Sequence, residues 1–252
     1  RFIDTRAFPP RRLSSTLASE TAKIMENSYR ATTIAMMEEW GRFAEAAGID
    51  VFEIIDAIRV RPTHANMRTP GFGVGGYCLT KDPLFAGIAA RDILGIGEIA
   101  FPFAEMAMRV NADMPMTTVS RLRALLGGLA GRKLLLMGVS YRGDVADTRS
   151  SASAVFLDAV TREGATVAVQ DPLVRDWPET GVPVSQDLPD PAGFDAVVLA
   201  VDHSAYRGYD FAGWLAAARP LVFDANRVLR AEQRRALTAA GVPLAAIGMG
   251  DV

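Results

Sequence analysis

The chain has 252 residues, of which half are hydrophobic and 22% are charged. This composition is typical of a folded protein, and the length favours two domains. The 27 basic and 29 acidic residues give a formal net charge of −2, so we predict no nucleic-acid partner. One cysteine and two histidines exclude a disulfide framework and a Cys/His zinc site, and we predict no metal.

The sequence indicates a soluble, cytoplasmic protein without a membrane partner. No apolar run approaches the roughly 18 residues of a membrane-spanning helix, and the densest run, residues 134–139, has the length of a strand. Residues 1–13 contain no apolar segment of the kind found in signal peptides, and the chain begins with arginine. We interpret residues 1–13 as a tail or the remnant of a preceding domain, and the chain as a fragment or processed form.

The first half of the chain has helical periodicity. Candidate N-caps for a long helix are Ser14, Ser15 and Thr16, and Gly48 is a candidate C-cap. An apolar stripe with steps of three and four residues supports this helix and consists of Met25, Tyr29, Thr33, Met36, Trp40, Phe43 and Ala47. Further helices are predicted over 51–58, 84–93 and 102–126. The Gly-, Pro- and Thr-rich loop over 59–80 is long enough to suggest a functional role.

After residue 131, short apolar strands alternate with amphipathic helices, which predicts a parallel sheet covered by helices. Strands are expected over 133–139, 166–170, 195–201 and 221–224, and helices over 151–162, 211–218 and 231–240. Ligands of such sheets bind beyond the carboxyl ends of the strands. We therefore expect a ligand to face the residues that follow the strands, namely Gly138, Asp171, Asp202 and Asp224.

The most informative segment is residues 70–83, PGFGVGGYCLTKDP. Gly71, Gly73 and Gly76 satisfy the G-x-G-x-x-G pattern, but no strand precedes it, and we reject a dinucleotide-binding fingerprint there. Four glycines within six residues allow positive φ and close approach of the backbone. They present the chain's single thiol, at Cys78, next to a helix start that would favour a thiolate.

Two interpretations of Cys78 remain open from these residues. Most free cysteines are small buried apolar side chains, whereas a glycine loop with Lys81 and Asp82 nearby is typical of a reactive thiol. Asp82 is also a candidate N-cap for the helix after Pro83. His64 fits no metal-ligand or base–nucleophile spacing and is interpreted as a surface residue. We interpret four methionines as packing residues, at positions 36, 37, 106 and 108.

These residues resemble the UDP-glucose/GDP-mannose dehydrogenase family, whose cysteine signature reads approximately G-x-G-x-G-G-x-C-[LI]-x-x-D. The resemblance covers roughly residues 14–252, and the cysteine segment is closer to the N-acetylhexosamine members than to the UDP-glucose ones. Other matching segments follow in the family's order: 22–30 (AKIMENSYR), Glu39, 48–50 (GID), 111–115 (NADMP), 138–142 (GVSYR), 147–149 (DTR), 171–172 (DP) and 224–227 (DANR).

The resemblance implies a four-electron oxidoreductase that converts the C6 hydroxyl of a UDP-sugar to a carboxylate with two NAD. Cys78 would capture the intermediate aldehyde as a thiohemiacetal, which is oxidised to a thioester and then hydrolysed. Lys23 would stabilise the oxyanions. Asn27, one helical turn from Lys23, and Asp82 would position water and transfer protons. Without the resemblance, Lys23 and Asn27 would be taken as solvated helix positions.

The resemblance also implies the substrate contacts. Arg142 and Arg149 would lie near the nucleotide, because guanidinium groups suit phosphates. Asp147 and Arg149 are equally an ordinary pair at a helix start. Three arginines are open candidates for a sugar contact: Arg59, Arg61 and Arg68. Loop glycines that would contact the substrate are Gly71, Gly73 and Gly75.

In this family NAD is bound by an N-terminal Rossmann domain, which we do not find in these residues. Lys81 and Arg227 would be the contacts that this chain supplies to NAD, and we expect no turnover from the chain alone. Three positions depart from the family pattern: Arg142 replaces a lysine, Glu38 stands where many members have asparagine, and Gly143 where proline is frequent.

The predicted fold class is α/β. A helical central domain at 14–128 is followed by a Rossmann-like, nucleotide-sugar-binding sheet domain at 129–252. The family's long helix forms its dimer interface, and we expect a homodimer through the stripe, although burial within one subunit would also explain the pattern. The alternative function is a non-catalytic paralogue that binds a nucleotide-sugar or serves as an assembly module.

Overall fold

The computed structural model describes residues 9–250; residues 1–8, most of the predicted tail, lie outside this range with residues 251–252. The first half contains the four predicted helices, α1 (Thr16–Ala47), α2 (Val51–Arg59), α3 (Phe85–Asp92) and α4 (Pro102–Leu126). Short 3₁₀ turns occur at Pro62–His64 and Asp82–Leu84. Within the described range, no helix is both long and apolar enough to span a membrane.

The caps of α1 are those that the sequence predicts. The side chain of Ser15 accepts a hydrogen bond from the backbone N–H of Ala18 at 3.1 Å. Gly48 ends the helix with a left-handed φ of 71° and donates its N–H to the last carbonyls of the helix, an arrangement that glycine adopts without a steric penalty.

Helices α1 and α4 pack together through small side chains. Ala31 and Ala35 of α1 form a buried cluster with Ala107 of α4, and Leu79 of the glycine loop joins them. Small residues allow the two helices to approach closely and leave space for the leucine. Because Leu79 follows Cys78 directly, this cluster anchors the cysteine segment to the helical half.

The second half contains a parallel sheet, which confirms the predicted fold class. Among the described residues the sheet has five strands in the order β2-β1-β3-β4-β5. The strands are β1 (Lys133–Met137), β2 (Thr166–Gln170), β3 (Ala196–Leu199), β4 (Leu221–Asp224) and β5 (Leu244–Ala246). The helices are α5 (Ala152–Arg162), α6 (Phe211–Leu215) and α7 (Ala231–Ala239).

Side chains of the strands alternate between two cores, one on each face of the sheet. Leu134 and Leu136 of β1 pack in the cluster that contains Phe156 of α5, whereas Leu135 packs with Phe211 of α6 on the other face. All three leucines are fully buried. Burying each one stabilises the fold by roughly 1.5–3 kcal/mol, which explains why β1 is a continuous apolar run.

The C-terminal turn packs against the helical half of the chain. Met249 forms an antiparallel bridge with Asp50, and the N–H of Gly248 donates to Glu45 Oε1 at 2.6 Å. The second carboxylate oxygen of Glu45 forms an ion pair with Arg121 of α4. These contacts join α1, α4 and the end of the sheet half.

The predicted stripe on α1 remains exposed. Met25 is 68% exposed and Trp40 53% exposed, and Tyr29, Met36 and Phe43 are also exposed. The side of α1 that is buried instead carries mainly small and polar residues: Asn27, Ala31, Ala35, Met37, Glu38, Gly41 and Ala44. Burial of the stripe within one subunit is therefore wrong for these five residues.

The packing interpretation is also wrong for two of the methionines. Met37 is buried, but Met36 and Met106 are exposed. The close α1–α4 contact is made by alanines, so the longer side chains lie on the opposite surfaces.

Glu38 is a buried carboxyl at the α1–α4 contact. Its Oε1 accepts a hydrogen bond from Thr117 Oγ1 at 2.8 Å, and burial raises its pKa above the ordinary 4.5. Since the folded pKa exceeds the unfolded one, the stability that the neutral carboxyl contributes is present below the unfolded value. It is lost as the pH rises through the folded value.

We therefore expect Glu38→Gln, which stays neutral and keeps the Thr117 bond, to raise the free energy of unfolding by about 1 kcal/mol at pH 8 and by little at pH 4. Urea denaturation at both pH values measures this difference. Glu39→Gln is the matched control, because Glu39 is an exposed neighbour. Equal effects of the two variants, or an effect independent of pH, would contradict the expectation.

Candidate active site around Cys78

Four of the predicted site residues form one hydrogen-bonded chain. Lys23 Nζ donates to Asn27 Oδ1 at 3.1 Å, and Asn27 Nδ2 donates to Asp82 Oδ2 at 3.0 Å. Lys81 Nζ donates to the second oxygen, Asp82 Oδ1, at 2.9 Å. The chain joins α1 to the segment that follows Cys78, two regions 55 residues apart in sequence.

Asn27 is the fixed centre of this chain. Its side chain is fully buried, and its oxygen and nitrogen each have a partner, Lys23 and Asp82, which defines the orientation of the amide. Lys23 lies one turn earlier on α1 and keeps a 56% exposed side chain. The interpretation of Asn27 as a solvated helix position is wrong, because this face of α1 covers the cysteine segment.

Cys78 lies at the start of a tight turn and is exposed, so the alternative of a small buried thiol is wrong. Its carbonyl oxygen accepts the N–H of Asp82 at 2.9 Å and that of Lys81 at 3.2 Å. This turn continues into the Asp82–Leu84 3₁₀ turn, where Asp82 is the first residue and has no capping role. The turn thus joins the backbone of Cys78 to the two residues that carry the carboxylate and the ammonium, Asp82 and Lys81.

Lys81 lies between two aromatic rings. Its Nζ is 4.6 Å from the centroid of the Tyr77 ring and 4.7 Å from that of Phe85. The hydrogen bond to Asp82 raises the pKa of Lys81, so the side chain stays cationic. The guanidinium carbon of Arg149 lies 5.9 Å from the same Tyr77 ring. Two cations therefore flank the residue that precedes Cys78.

The loop glycines allow the loop to pack against the sheet half. A Cβ on Gly75 would lie 2.3 Å from the carbonyl oxygen of Ser150 and 2.9 Å from Tyr141 Cβ. A Cβ on Gly71 would lie 2.6 Å from the side-chain oxygen of Asn226. Gly73 has a positive φ of 112° and contacts α4 and α5. At these positions protein atoms explain the need for glycine, and any substrate contact would be made by the peptide groups.

Two residues that fix the loop were not predicted as site residues. Asn111 of α4 accepts the N–H of Val74 and donates to the carbonyl of Val74, both at 2.8 Å. The ring of Tyr141 would lie 3.0 Å from a Cβ on Gly76. Both residues belong to segments that resemble the family, and this resemblance was the one sequence feature that could have identified them. Their contacts with the loop could not be predicted, because the loop is distant from both in sequence.

The loop after β1 carries the two arginines predicted near the nucleotide. Arg142 is exposed. Arg149 forms an ion pair with Asp147 at 2.6 Å, and its hydrogen bonds lower the pKa of Asp147. The carbonyl of Arg149 accepts the N–H of Gly76 at 3.1 Å. The structure thus brings Arg149 to the cysteine loop. Arg149 also forms the ordinary ion pair with Asp147 that was the alternative interpretation.

Two of the predicted strand-end ligand residues are buried structural groups, so that prediction is wrong for Asp171 and Asp224. Burial raises the pKa of Asp171, but hydrogen bonds from His203 and from backbone N–H groups lower it below the usual value overall. Asp224 accepts the N–H groups of Val228 and Leu229, while burial raises its pKa. Both carboxylates organise loops.

The other strand-end positions differ in surroundings. Gly138 has no room for a side chain, because a Cβ there would lie 2.5 Å from Val201. Asp202 forms ion pairs with Arg207 at 3.5 Å and Arg230 at 3.4 Å. Neither position is free to face a ligand without rearrangement of these contacts.

The other basic residues considered in the sequence analysis lie on or near α2 and the loop that follows it. Arg227 Nη2 is 3.2 Å from Asp56, and its guanidinium lies over Phe52, so it joins the two halves. Arg59 donates to the carbonyl of Met67, whereas Arg61 is exposed. Within the described residues Arg68 Nε is buried without a hydrogen-bond partner. His64 is exposed, as predicted.

A cavity of about 750 Å³ adjoins the loop, a size suited to a small molecule. Thr80 of the loop, Arg109 of α4 and Ser150 before α5 lie along it, but Cys78 does not. The thiol therefore lies outside this cavity.

Comparison with known proteins decides the family. Residues 17–113 match the model of the UDP-glucose/GDP-mannose dehydrogenase family central domain, and residues 135–231 match that of its UDP binding domain. The chain belongs to this family. Both the resemblance seen in the sequence and the order of the two halves are confirmed.

Relatives and solved structures agree with this assignment. The chain is 30% identical to UDP-N-acetyl-D-mannosamine dehydrogenase of Methanocaldococcus jannaschii over 79% of this chain and 43% of the relative. It is 27% identical to the Pyrococcus horikoshii enzyme of that name, over 100% of this chain and 56% of the relative. The crystal structure of NDP-N-acetyl-D-galactosaminuronic acid dehydrogenase from Methanosarcina mazei has a TM-score of 0.82 at 29% identity, covering 93% of this chain and 51% of that one.

The chain thus spans about half the length of the curated relatives it matches.

The packing of Gly75 gives a direct test of how the loop is held. We expect Gly75→Ala to displace the loop from Ser150 and Tyr141, to lower the free energy of unfolding by about 1–3 kcal/mol, and to change the iodoacetamide rate of Cys78. Mass spectrometry reads the rate cleanly because the chain has one cysteine.

Gly208→Ala serves as the matched control, since no heavy atom lies within 4 Å of a Cβ there; its effect should stay within about 0.5 kcal/mol. If Gly75→Ala behaves like this control, the loop is not held by its contact with the sheet half.

Proposed function

We propose that this chain supplies the catalytic cysteine and the nucleotide-sugar site of a nucleotide-sugar 6-dehydrogenase acting on a UDP-N-acetylhexosamine. The observation that carries the proposal is the hydrogen-bonded chain from Lys23 through Asn27 to Asp82 and Lys81, which ends beside the exposed Cys78. The relatives named UDP-N-acetyl-D-mannosamine dehydrogenase support the substrate class.

In the proposed reaction the Cys78 thiol, which is exposed, loses its proton to solvent, and the resulting thiolate adds to C6 of the sugar aldehyde. A C–S bond forms, and the carbonyl electrons move to oxygen, where the Lys23 ammonium stabilises the negative charge. After oxidation to the thioester, Asp82 accepts a proton from the attacking water. The C–S bond then breaks, and the carboxylate and the thiolate are released. Asn27 holds Lys23 and Asp82 in position for both steps.

The residues predicted for NAD differ in how well they fit it. Lys81 is a partly exposed ammonium that donates to Asp82 and lies between two aromatic rings, and an ammonium in this setting suits a pyrophosphate beside a stacked ring. Arg227 is engaged by Asp56 and Phe52 and would have to give up that contact. NAD, when bound, would accept the electrons removed at C6. We propose that it is held mainly by residues outside this chain, so that the chain alone has no dehydrogenase turnover.

For the UDP moiety we propose Arg142 and Arg149, together with peptide groups of Gly71, Gly73 and Gly75. We expect calorimetry to detect UDP binding and no NAD binding by this chain. Arg142→Met should weaken UDP binding about tenfold, because a charged hydrogen bond to phosphate is lost. Arg235→Met on α7 is the control, as its side chain is exposed and forms a surface pair with Glu232. Absence of UDP binding by the unsubstituted chain would overturn the nucleotide-sugar site.

A second experiment separates catalysis from mere binding. Capture of an aldehyde by Cys78 needs no NAD, so a UDP-N-acetylhexosamine 6-aldehyde should protect Cys78 from iodoacetamide more strongly than UDP does. Lys23→Met should reduce this extra protection, whereas Lys133→Met, which changes an exposed lysine on β1, should not. Equal protection by the aldehyde and by UDP would favour the non-catalytic paralogue.

We further propose a homodimer formed through the exposed α1 stripe. Five large apolar side chains on one helix face form a surface that is typical of a subunit interface: Met25, Tyr29, Met36, Trp40 and Phe43. Trp40 and Phe43 already pack edge to face at 5.7 Å, which makes them a rigid centre for the contact.

Analytical ultracentrifugation should show a dimer that Trp40→Glu converts to a monomer. Leu125→Glu is the matched control, since Leu125 on α4 is similarly exposed, at 48% against 53%, but lies outside the stripe. A monomeric unsubstituted chain, or dissociation by both variants alike, would contradict the proposed interface.

A further inference from the structure

His203 is a fully buried side chain on the turn after β3, and every polar atom of its ring has a partner. Nε2 lies 3.1 Å from Asp171 Oδ2 and 3.2 Å from Ser140 Oγ. Nδ1 lies 3.1 Å from the backbone nitrogen of Asp144. The ring therefore links the loops that follow β1, β2 and β3, three adjacent strands of the sheet.

The partners determine which ring nitrogen carries the proton. Nδ1 faces a backbone N–H, which only donates, so Nδ1 must be the acceptor. Nε2 then carries the hydrogen and donates to Asp171 and to Ser140. The Ser140 hydroxyl directs its own hydrogen to the carbonyl of Arg142 at 2.8 Å, which leaves its oxygen free to accept. A neutral His203 thus satisfies all these groups in one arrangement.

The segment held by His203 is short and fixed at several points. Asp171 accepts the N–H of Val139 at 2.8 Å, and Asp144 Oδ1 accepts the N–H of Ser204 at 2.8 Å. Asp144 has a left-handed φ of 61°. A Cβ on Gly143 would lie 2.1 Å from the carbonyl oxygen of Asp202, which explains glycine at this position. Residues 139–144 are therefore held tightly against the β3 turn.

This segment carries side chains that reach the site. Arg142 is exposed within it, and Tyr141 lies against Gly76, two residues before Cys78. The N–H of Tyr141 also bonds to the carbonyl of Asp147 at 2.8 Å, which links the segment to the Asp147–Arg149 pair. A displacement of residues 140–144 would move the Arg142 side chain and remove the support of the cysteine loop.

We propose that His203 is a positioning residue for nucleotide-sugar binding, acting through its bond to the Asp144 N–H on the segment that carries Tyr141 and Arg142. This inference rests on the proposed function. Burying a carboxylate and an imidazole together is expensive, and apolar side chains would fill the same space with equal or greater stability. The buried pair at this place is thus better explained by the loop conformation that it fixes.

Two isosteric variants separate the bonds of the ring. His203→Asn can place its oxygen near the former Nδ1 and accept the Asp144 N–H, whereas His203→Gln can reach Asp171 with its amide nitrogen but leaves that N–H without its acceptor. We expect His203→Gln to weaken UDP binding at least tenfold in calorimetry and His203→Asn to stay within about threefold. Hydrogen–deuterium exchange over residues 139–148 should be faster in His203→Gln alone.

Equal UDP affinities of the two variants, whether both unchanged or both weakened, would overturn the inference, because a purely structural role predicts parallel losses of stability. If the unsubstituted chain does not bind UDP, the proposed nucleotide site fails instead, and the exchange measurement alone decides whether His203 fixes the segment. Should His203→Gln not fold, Asp144→Gly removes the bond to Ser204 from an exposed residue, and glycine adopts the left-handed φ at this position without strain. This variant should also weaken UDP binding several-fold, and unchanged binding would count against the inference.

Discussion

The site depends on how closely the glycine loop packs between the two halves of the chain. Gly71 and Gly75 lie so near Asn226 and Ser150 that a single additional carbon would collide with them. On the other side, Leu79 is buried between α1 and α4. The thiol at position 78 is thus placed by contacts with both halves. The halves are themselves joined by Glu45 and by the Arg227–Asp56 pair.

The same packing determines the electrostatics around the thiol. Asp82 has an ammonium on one oxygen and the amide of Asn27 on the other, so the carboxylate is held without being neutralised by a second lysine. Asn27 connects α1 to this carboxylate, because its amide accepts a hydrogen bond from Lys23 and donates one to Asp82. A helix position that looks ordinary in the sequence is therefore the structural centre of the site.

Local sequence patterns predicted most helices and strands, whereas the wrong predictions concern side chains whose surroundings depend on contacts distant in sequence. The caps of α1 and the bounds of α4 follow from residues within a few positions, but β5 has only three residues and no distinguishing pattern. The spacing of Lys23 and Asn27 placed them on one face, while a shared role of Asn27 and Asp82 was implied only by the family resemblance and their hydrogen bond was not predicted. Asp171 was expected to face a ligand. Its Oδ2 is held by His203 and by the N–H of Val139, which lie in the loops after two other strands, and no local pattern contains these contacts.

Helix α1 has an unusual distribution of side chains, because small and polar residues lie on its buried face and large apolar residues on its exposed face. Its buried face is small and polar because it lies close to α4 and holds Asn27 against Asp82, and the large apolar side chains occupy the opposite face. Burying each of these large side chains is worth roughly 1.5–3 kcal/mol, which is available only through another surface. Since one continuous helix carries both the Lys23–Asn27 pair and this exposed stripe, a surface that covered the stripe would bind the same helix that holds Asn27 against Asp82.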